Sequence, residues 1–333
     1  MVATTTTDDY FLWLSDIHFD PYYATSQAFK SPYYEDVNCD DVNDAPSLGS
    51  YGCDAPLSLV RNALEYAVNI TSTSPYSTPK FVLISGDNIR HGVDLLFNDG
   101  SDFNEGAEGR NDNIVEQTAH APWHQQAMDK AGEILHELIS MVEVAFPESE
   151  VIVSLGNNDV VPDYYLELLE DDDDNIENNA LKNGSYSTAL TPETAGMLGV
   201  VYNALSIDNS SAANINSTTL PALSLGDPVP SNTGLILLAD QSSFLRGGYY
   251  SRTLHNGALT ILSLNTVLYS GIFQPTPLTK NGVEDPGKQF SWMKEMLSKC
   301  RESRTQAIIV GHIPPTVGSF RHTQLWKDTY IQT

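Results

Sequence analysis

Residues 81–87 read Phe-Val-Leu-Ile-Ser-Gly-Asp, an apolar, partly β-branched run that stops at a glycine and then presents a carboxylate. A run of this length and composition reads as a buried strand, and the glycine lets the backbone turn sharply so that the next side chain leaves the strand direction. The pattern recurs along the chain. Tyr10–Ser15 is followed by Asp16-Ile17-His18, Val151–Leu155 by Gly156-Asn157-Asn158-Asp159, and Ala307–Val310 by Gly311-His312. Leu259–Leu264 is a fifth run of the same kind. Helical patterns lie between these runs. Leu57, Val60, Leu64 and Ala67 repeat at helical spacing after Asp54, which is placed to cap, and Pro56. A second helix is expected from about Ala127 to Phe146, with Met128, Ala131, Leu135, Leu138 and Val142 on one face, and a third after Asp285-Pro286, with Phe290, Met293 and Leu297. Strands alternating with helices imply an α/β fold.

In an open α/β sheet the carboxyl ends of the strands form one rim, where residues distant in sequence meet. Asp16, His18, Asp87, Asn157 and His312 would bring carboxylate, amide and imidazole donors to that rim. This mixture suits zinc, manganese or iron better than calcium. Each pair alone is common in proteins; four blocks in this order, all beyond apolar runs, are informative together.

The blocks resemble the calcineurin-like metallophosphoesterase superfamily, whose pattern runs Asp-x-His, Gly-Asp, Gly-Asn-His/Asp, Gly-His and finally Gly-His-x-His. Within it the chain is similar to the acid sphingomyelinase-like phosphodiesterases and vacuolar endopolyphosphatases. The segments that carry this are Trp13–Tyr22, Cys53–Pro56, Tyr249–Ser251, Leu262–Asn265, Asp285–Gln289 and Gly311–Pro315. Gly86–His91 and Gly156–Asp159 look more like the endopolyphosphatase forms.

The resemblance implies a four-layer α/β/β/α sandwich in one domain spanning residues 1–333, and two divalent metal ions, with zinc favoured over manganese or iron. It implies that Asp16 and His18 hold one metal, that Asp87 bridges, and that Asn157 and His312 hold the second. His91 becomes the general acid, with His120 and His124 as rivals displaced by an insertion. Asn158, counted with His91 among the catalytic positions, stands where many relatives have histidine and cannot donate a proton as an imidazolium does, so either His91 carries the acid role alone or activity is weaker. His124 can also be read as a helix-start histidine packed beside Trp123. The Gly-His-x-His block is not found before Thr333, and His322 reads as a loop histidine, so the expectation is a C-terminally truncated, metal-poor and nearly inactive form.

Composition limits the rest. With 17 Lys+Arg against 43 Asp+Glu the formal charge is −26, which excludes a role in coating nucleic acid. It also disfavours a long polyanionic substrate, because protonating all 8 histidines lowers the charge only to −18 (−26 + 8). Residues 98–115 and 170–233 read as inserted loops, and the acidic run Glu170–Asp174 as solvated, since it lacks calcium-loop spacing. No apolar run is long enough to span a membrane, and residues 1–9 lack the layout of a signal peptide. Cys39 and Cys53 have a spacing that suits a local disulfide, with free thiols as the reading for a reducing compartment. Four sequons, at Asn69, Asn183, Asn209 and Asn216, favour the disulfide and a secreted or lumenal, vacuole- or lysosome-like location. Cys300 would stay unpaired. The expected substrate is a phosphorylated small molecule, a lipid or polyphosphate; a non-catalytic glycoprotein binding module is the alternative class.

Overall fold

The computed structural model describes residues 10–29, 39–40, 45–73, 78–97, 121–168, 191–206, 235–273, 285–315 and 330. Two three-stranded sheets organise them. The first contains β1 (Leu12–Leu14), β2 (Phe81–Ser85) and β3 (Glu150–Ser154), all parallel, in the order β1-β2-β3. The second contains β4 (Tyr250–Leu254), β5 (Leu259–Ser263) and β6 (Gln306–Val310), with β4 antiparallel and β6 parallel to β5. Helix α1 (Leu57–Thr73) connects β1 to β2, and α2 (His124–Ala145) connects β2 to β3. Helices α3 (Gly196–Ser206) and α4 (Gln241–Gly247) lie between β3 and β4 in the chain, and α5 (Gln289–Ser303) lies between β5 and β6. The class is therefore mixed α/β.

Burial explains why these segments were readable. All five β2 residues are buried, which requires a continuous apolar run rather than an alternating one. On α2 the five residues expected to face the core are all buried. Helix α1 buries Val60 and Leu64, and α5 buries Phe290 and Met293. Asp285 accepts from Phe290 N at 2.7 Å and Ser291 N at 2.9 Å, which satisfies first-turn amides of α5.

Three features differ from the sequence expectation. β1 is shorter, since Asp16 has a left-handed φ of 53° that ends the regular strand. β4 and α4 were not anticipated: β4 buries Tyr250 and Leu254 but leaves Ser251, Arg252 and Thr253 partly or fully exposed. Asp54 does not cap α1 with its side chain; it turns to His91, while Pro56 O receives the amides of Leu59 and Val60. Of the two expected insertions, 98–115 lies outside the described residues, as does 170–233 apart from 191–206, where Met197–Leu205 packs within α3. Asn183, Asn209, Asn216, His120, His322 and the acidic run also lie outside them. Asn69 is exposed on α1. Cys39 and Cys53 form the expected disulfide, and Cys300 is a buried free thiol. Among the described residues, no helix is long and apolar enough to cross a membrane.

The two sheets are joined by side chains at the edge of β3 that faces away from β2. Tyr250 Oη receives Val153 N at 2.9 Å and donates to Val153 O at 3.0 Å, and Ser263 Oγ donates to the same carbonyl at 3.0 Å. Ser154 Oγ donates to Leu264 O at 2.9 Å. A buried strand edge would otherwise leave amides unsatisfied. Tyr250→Phe removes the acceptor for a buried N–H, and denaturant unfolding is expected to show a loss of about 1–3 kcal/mol. An unchanged midpoint would mean that this edge is solvated without the tyrosine.

Candidate metal centre

The residues beyond β1 continue to bond to those beyond β2 after both strands have ended. Asp16 N donates to Gly86 O at 3.1 Å, His18 N to Asp87 O at 3.0 Å, and Phe19 N to Asn88 O at 3.0 Å. Asp16, His18 and Asp87 all have left-handed backbones, with φ of 53°, 47° and 51°. That conformation costs an L-residue about 1 kcal/mol or more, and here the flanking hydrogen bonds hold it in place.

The ends of β2 and β3 approach too closely for side chains. A Cβ on Gly86 would sit 2.7 Å from Gly156 N and 2.8 Å from His312 Cβ, and a Cβ on Gly156 would collide with Asp87 N and Oδ1. Asp159 closes this junction. Its carboxylate receives Asn88 N at 2.8 Å, Asn88 Nδ2 at 2.7 Å, Ile89 N at 3.2 Å and Gly156 N at 2.8 Å. Burial and the neighbouring Asp87 charge push the Asp159 pKa up to about 7, against the pull of these N–H donors. Asp159 acts as an organiser that sequence reasoning did not single out; its position in Gly156–Asp159 was the only available signal.

The buried Asp87 carboxylate is the centre of the cluster. His312 Nε2 lies 3.3 Å and His18 Nε2 3.7 Å from its Oδ2. Asp16, Asp87 and His312 each bring one donor atom within 4.8 Å of the others'. His312 Nδ1 donates to Ser85 O at 3.1 Å, which turns Nε2 to Asp87 and makes it the nitrogen this histidine would offer a metal. Carboxylate and imidazole donors converging from three strand ends fit a divalent transition metal.

The two asparagines sit differently. Asn158 N donates to Asp87 Oδ1 at 3.0 Å, and Asn158 Nδ2 lies 3.3 Å from Asp87 Oδ2 and 3.1 Å from His18 Nδ1. Asn157 reaches this network through Asn158, donating from Nδ2 to Asn158 Oδ1 at 2.9 Å.

His91 lies beside the cluster, its ring stacked on His18 at 4.3 Å with an interplanar angle of 6°. In-plane lone pairs of two parallel rings do not meet at one point, so this stack does not suit a metal shared between His18 and His91. Asp54 holds the other side of His91: Oδ1 lies 2.9 Å from Nδ1, and Oδ2 accepts the backbone N–H at 2.8 Å. His91 Nε2 is thereby the ring nitrogen left for other chemistry. The contact of Asp54 with His91 was not readable from the sequence, because its place before Pro56 reads equally well as a helix cap. His124, the first residue of α2, has Nε2 on Val161 O at 2.7 Å and meets Trp123 and Tyr165 edge-on, as in its packed, helix-start reading.

Charge follows from these contacts. Burial opposes ionisation of Asp87, but His312 and His18 more than offset it and lower its pKa. Burial, with repulsion from His91, lowers that of His18. For His91 burial is outweighed by Asp54 and the pKa is raised; for His312 burial is outweighed by Asp87, and the pKa is pushed up to about 9.

No protein-family model matches the chain. It is 25% identical over 318 residues to acid sphingomyelinase-like phosphodiesterase 3b of Homo sapiens, an alignment covering 94% of this chain and 49% of that protein. The chain is thus similar to an acid sphingomyelinase-like phosphodiesterase over most of its length. It is 21% identical over 305 residues to a cyclic GMP-AMP phosphodiesterase of Homo sapiens, covering 91% of this chain and 48% of the relative. To the endopolyphosphatase of Saccharomyces cerevisiae it is 22% identical over 336 residues, covering 96% and 38%. Sphingomyelinase-like phosphodiesterase and endopolyphosphatase are the two types that the sequence motifs resemble. The chain spans about half the length of the curated relatives it matches first.

Because Gly156 has no space for a methyl group, Gly156→Ala must displace Asp87. Urea unfolding of the metal-free protein is expected to show a loss of about 1–3 kcal/mol. An unchanged midpoint would show that the junction yields freely.

Proposed function

We propose that the chain forms a metal-dependent phosphoric ester hydrolase, a phosphodiesterase of the acid sphingomyelinase-like type that is endopolyphosphatase-like by motif. The observation that carries this reading is the Asp87 carboxylate lying between His18 Nε2 and His312 Nε2, with Asp16 alongside, all at strand ends. In this reading the two sheets and their helices belong to a single-domain α/β/β/α sandwich. Phosphorylated small molecules, lipids and polyphosphate are the substrate classes, in a secreted or lumenal compartment that suits the disulfide.

Two divalent metals, zinc by preference, would be held by Asp16, His18, Asp87, Asn157 and His312, and would supply Lewis-acid stabilisation and an activated water. Asn157 has its Nδ2 committed to Asn158, which leaves Oδ1, the atom able to ligate. The other groups follow from their positions. His91, with Nδ1 turned to Asp54, presents Nε2 to donate a proton to the leaving oxygen. Asn158 Nδ2 sits at the Asp87–His18 junction, where its part in catalysis would be to hold those two side chains, since it has no acidic proton to transfer.

Two variants separate these roles. Asp87→Ala is expected to abolish metal binding, measured by mass spectrometry of the purified protein. His91→Ala is expected to keep the metal and lower turnover by about 10²–10⁴ on a substrate with a poor leaving group. Phosphate or phosphoester release would be assayed in parallel on polyphosphate, cyclic dinucleotide and phosphocholine lipid. A wild-type protein that takes up no metal even at saturating zinc or manganese would favour the binding-module reading instead.

A further inference from the structure

His91 is held from a direction that the candidate centre does not account for. Besides His18, Phe29 stacks on it, with ring centroids 4.8 Å apart and an interplanar angle of 20°. A face of an imidazole has room for one parallel ring, so His18 and Phe29 occupy opposite faces. Phe29 is itself tied down by a buried circuit. Its N–H donates to Asp20 Oδ2 at 2.9 Å, and Asp20 Oδ1 pairs with Arg90 Nη1 at 3.1 Å. Arg90 Nε then donates to His91 O at 3.1 Å, closing the circuit on the residue that Phe29 covers. Arg90 Nη1 also donates to Gln27 O at 2.6 Å, and Asp20 Oδ1 receives Tyr22 N at 2.9 Å, so both ends of the 20–29 loop are fixed. Asp20 and Arg90 are both at most 2% exposed. An ion pair buried to this degree costs solvation and is strongly destabilising to break, so the loop it anchors is held firmly.

We infer that Phe29 is a positioning residue for His91, and that the Asp20–Arg90 pair acts through it to keep the imidazole in one orientation. Asp54 fixes one ring nitrogen in position, but a single contact at Nδ1 leaves the ring free to rock about it. The parallel rings on both faces remove that freedom and hold Nε2 in one position beside His18. The inference rests on the reading of His91 as the general acid, since orientation matters to rate when the proton donor must meet the leaving oxygen within hydrogen-bond reach.

The test uses the full chain with 13C-labelled histidine side chains, and its first readout needs no turnover. In the metal-free wild type, the His91 ring signals should report one orientation without millisecond exchange. Phe29→Ala should introduce exchange at His91 while the folded spectrum elsewhere is retained, and Phe29→Tyr should restore the wild-type behaviour. Unchanged His91 relaxation in Phe29→Ala overturns the inference. In the metal-loaded chain, Phe29→Ala should lower kcat about 10–100-fold for a poor leaving group, leaving KM and the turnover of a nitrophenyl ester within about twofold. Equal losses on both substrates, or none, overturn it. If His91→Ala loses activity on the poor leaving group while Phe29→Ala does not, the positioning role alone fails; if His91→Ala loses nothing, the acid role of His91 fails with it.

Discussion

Gly156 lies where a side chain would strike Asp87, and this contact between the ends of β2 and β3 sets the position of everything around it. Asp159 seals the contact by accepting four N–H groups, from Gly156, Asn88 and Ile89. The backbone of Asn158 then reaches Asp87 Oδ1, and Asp87 is held where His18 and His312 arrive from two other strand ends. Two glycines and one buried carboxylate thus convert three strand termini into a single cluster of donors. The left-handed backbones of Asp16, His18 and Asp87 are the local cost of that convergence.

The second sheet contributes in two ways. It brings His312 over Gly86 through β6, and its remaining motif segments serve as scaffold. Asn265 N donates to Gln289 Oε1 at 2.8 Å, Gln289 Nε2 donates to Asn265 O at 3.1 Å and to Tyr269 Oη at 2.7 Å, and Tyr249 Oη donates to Gly287 O at 2.8 Å. The segments Tyr249–Ser251, Leu262–Asn265 and Asp285–Gln289 therefore lock to one another through buried polar groups away from the donor cluster. These hydrogen bonds, which leave Asn265 Nδ2 as a buried amide nitrogen without a partner, tie down the strand that presents Gly311 and His312.

Legibility in the sequence followed burial. β2 and β3 were readable because both faces are covered, and α2 because its buried stripe is continuous over its length. β4 was not, since it buries only its two end residues; the Asn256-Gly257 pair, which lies in the turn between β4 and β5, was the available hairpin signal. Asp16, His18, Asp87 and His312 were recognisable because each follows an apolar run. Asp54 and Phe29 were not, as they reach His91 through tertiary contacts that leave no local pattern. That Asn158 meets Asp87 directly while Asn157 reaches it through Asn158 was likewise not readable, because adjacent residues of one type differ only in where the turn aims them.

The central claim is that these strand ends form a dinuclear metal site centred on Asp87. Anomalous diffraction from crystals soaked in zinc or manganese tests it most directly. The account predicts two peaks beside Asp87, one within coordination distance of Asp16 and His18 and the other of His312 and Asn157 Oδ1, with His91 unligated. Metal bound elsewhere, or a single ion held by His91 and Asp54 with Asp87 unliganded, would contradict it.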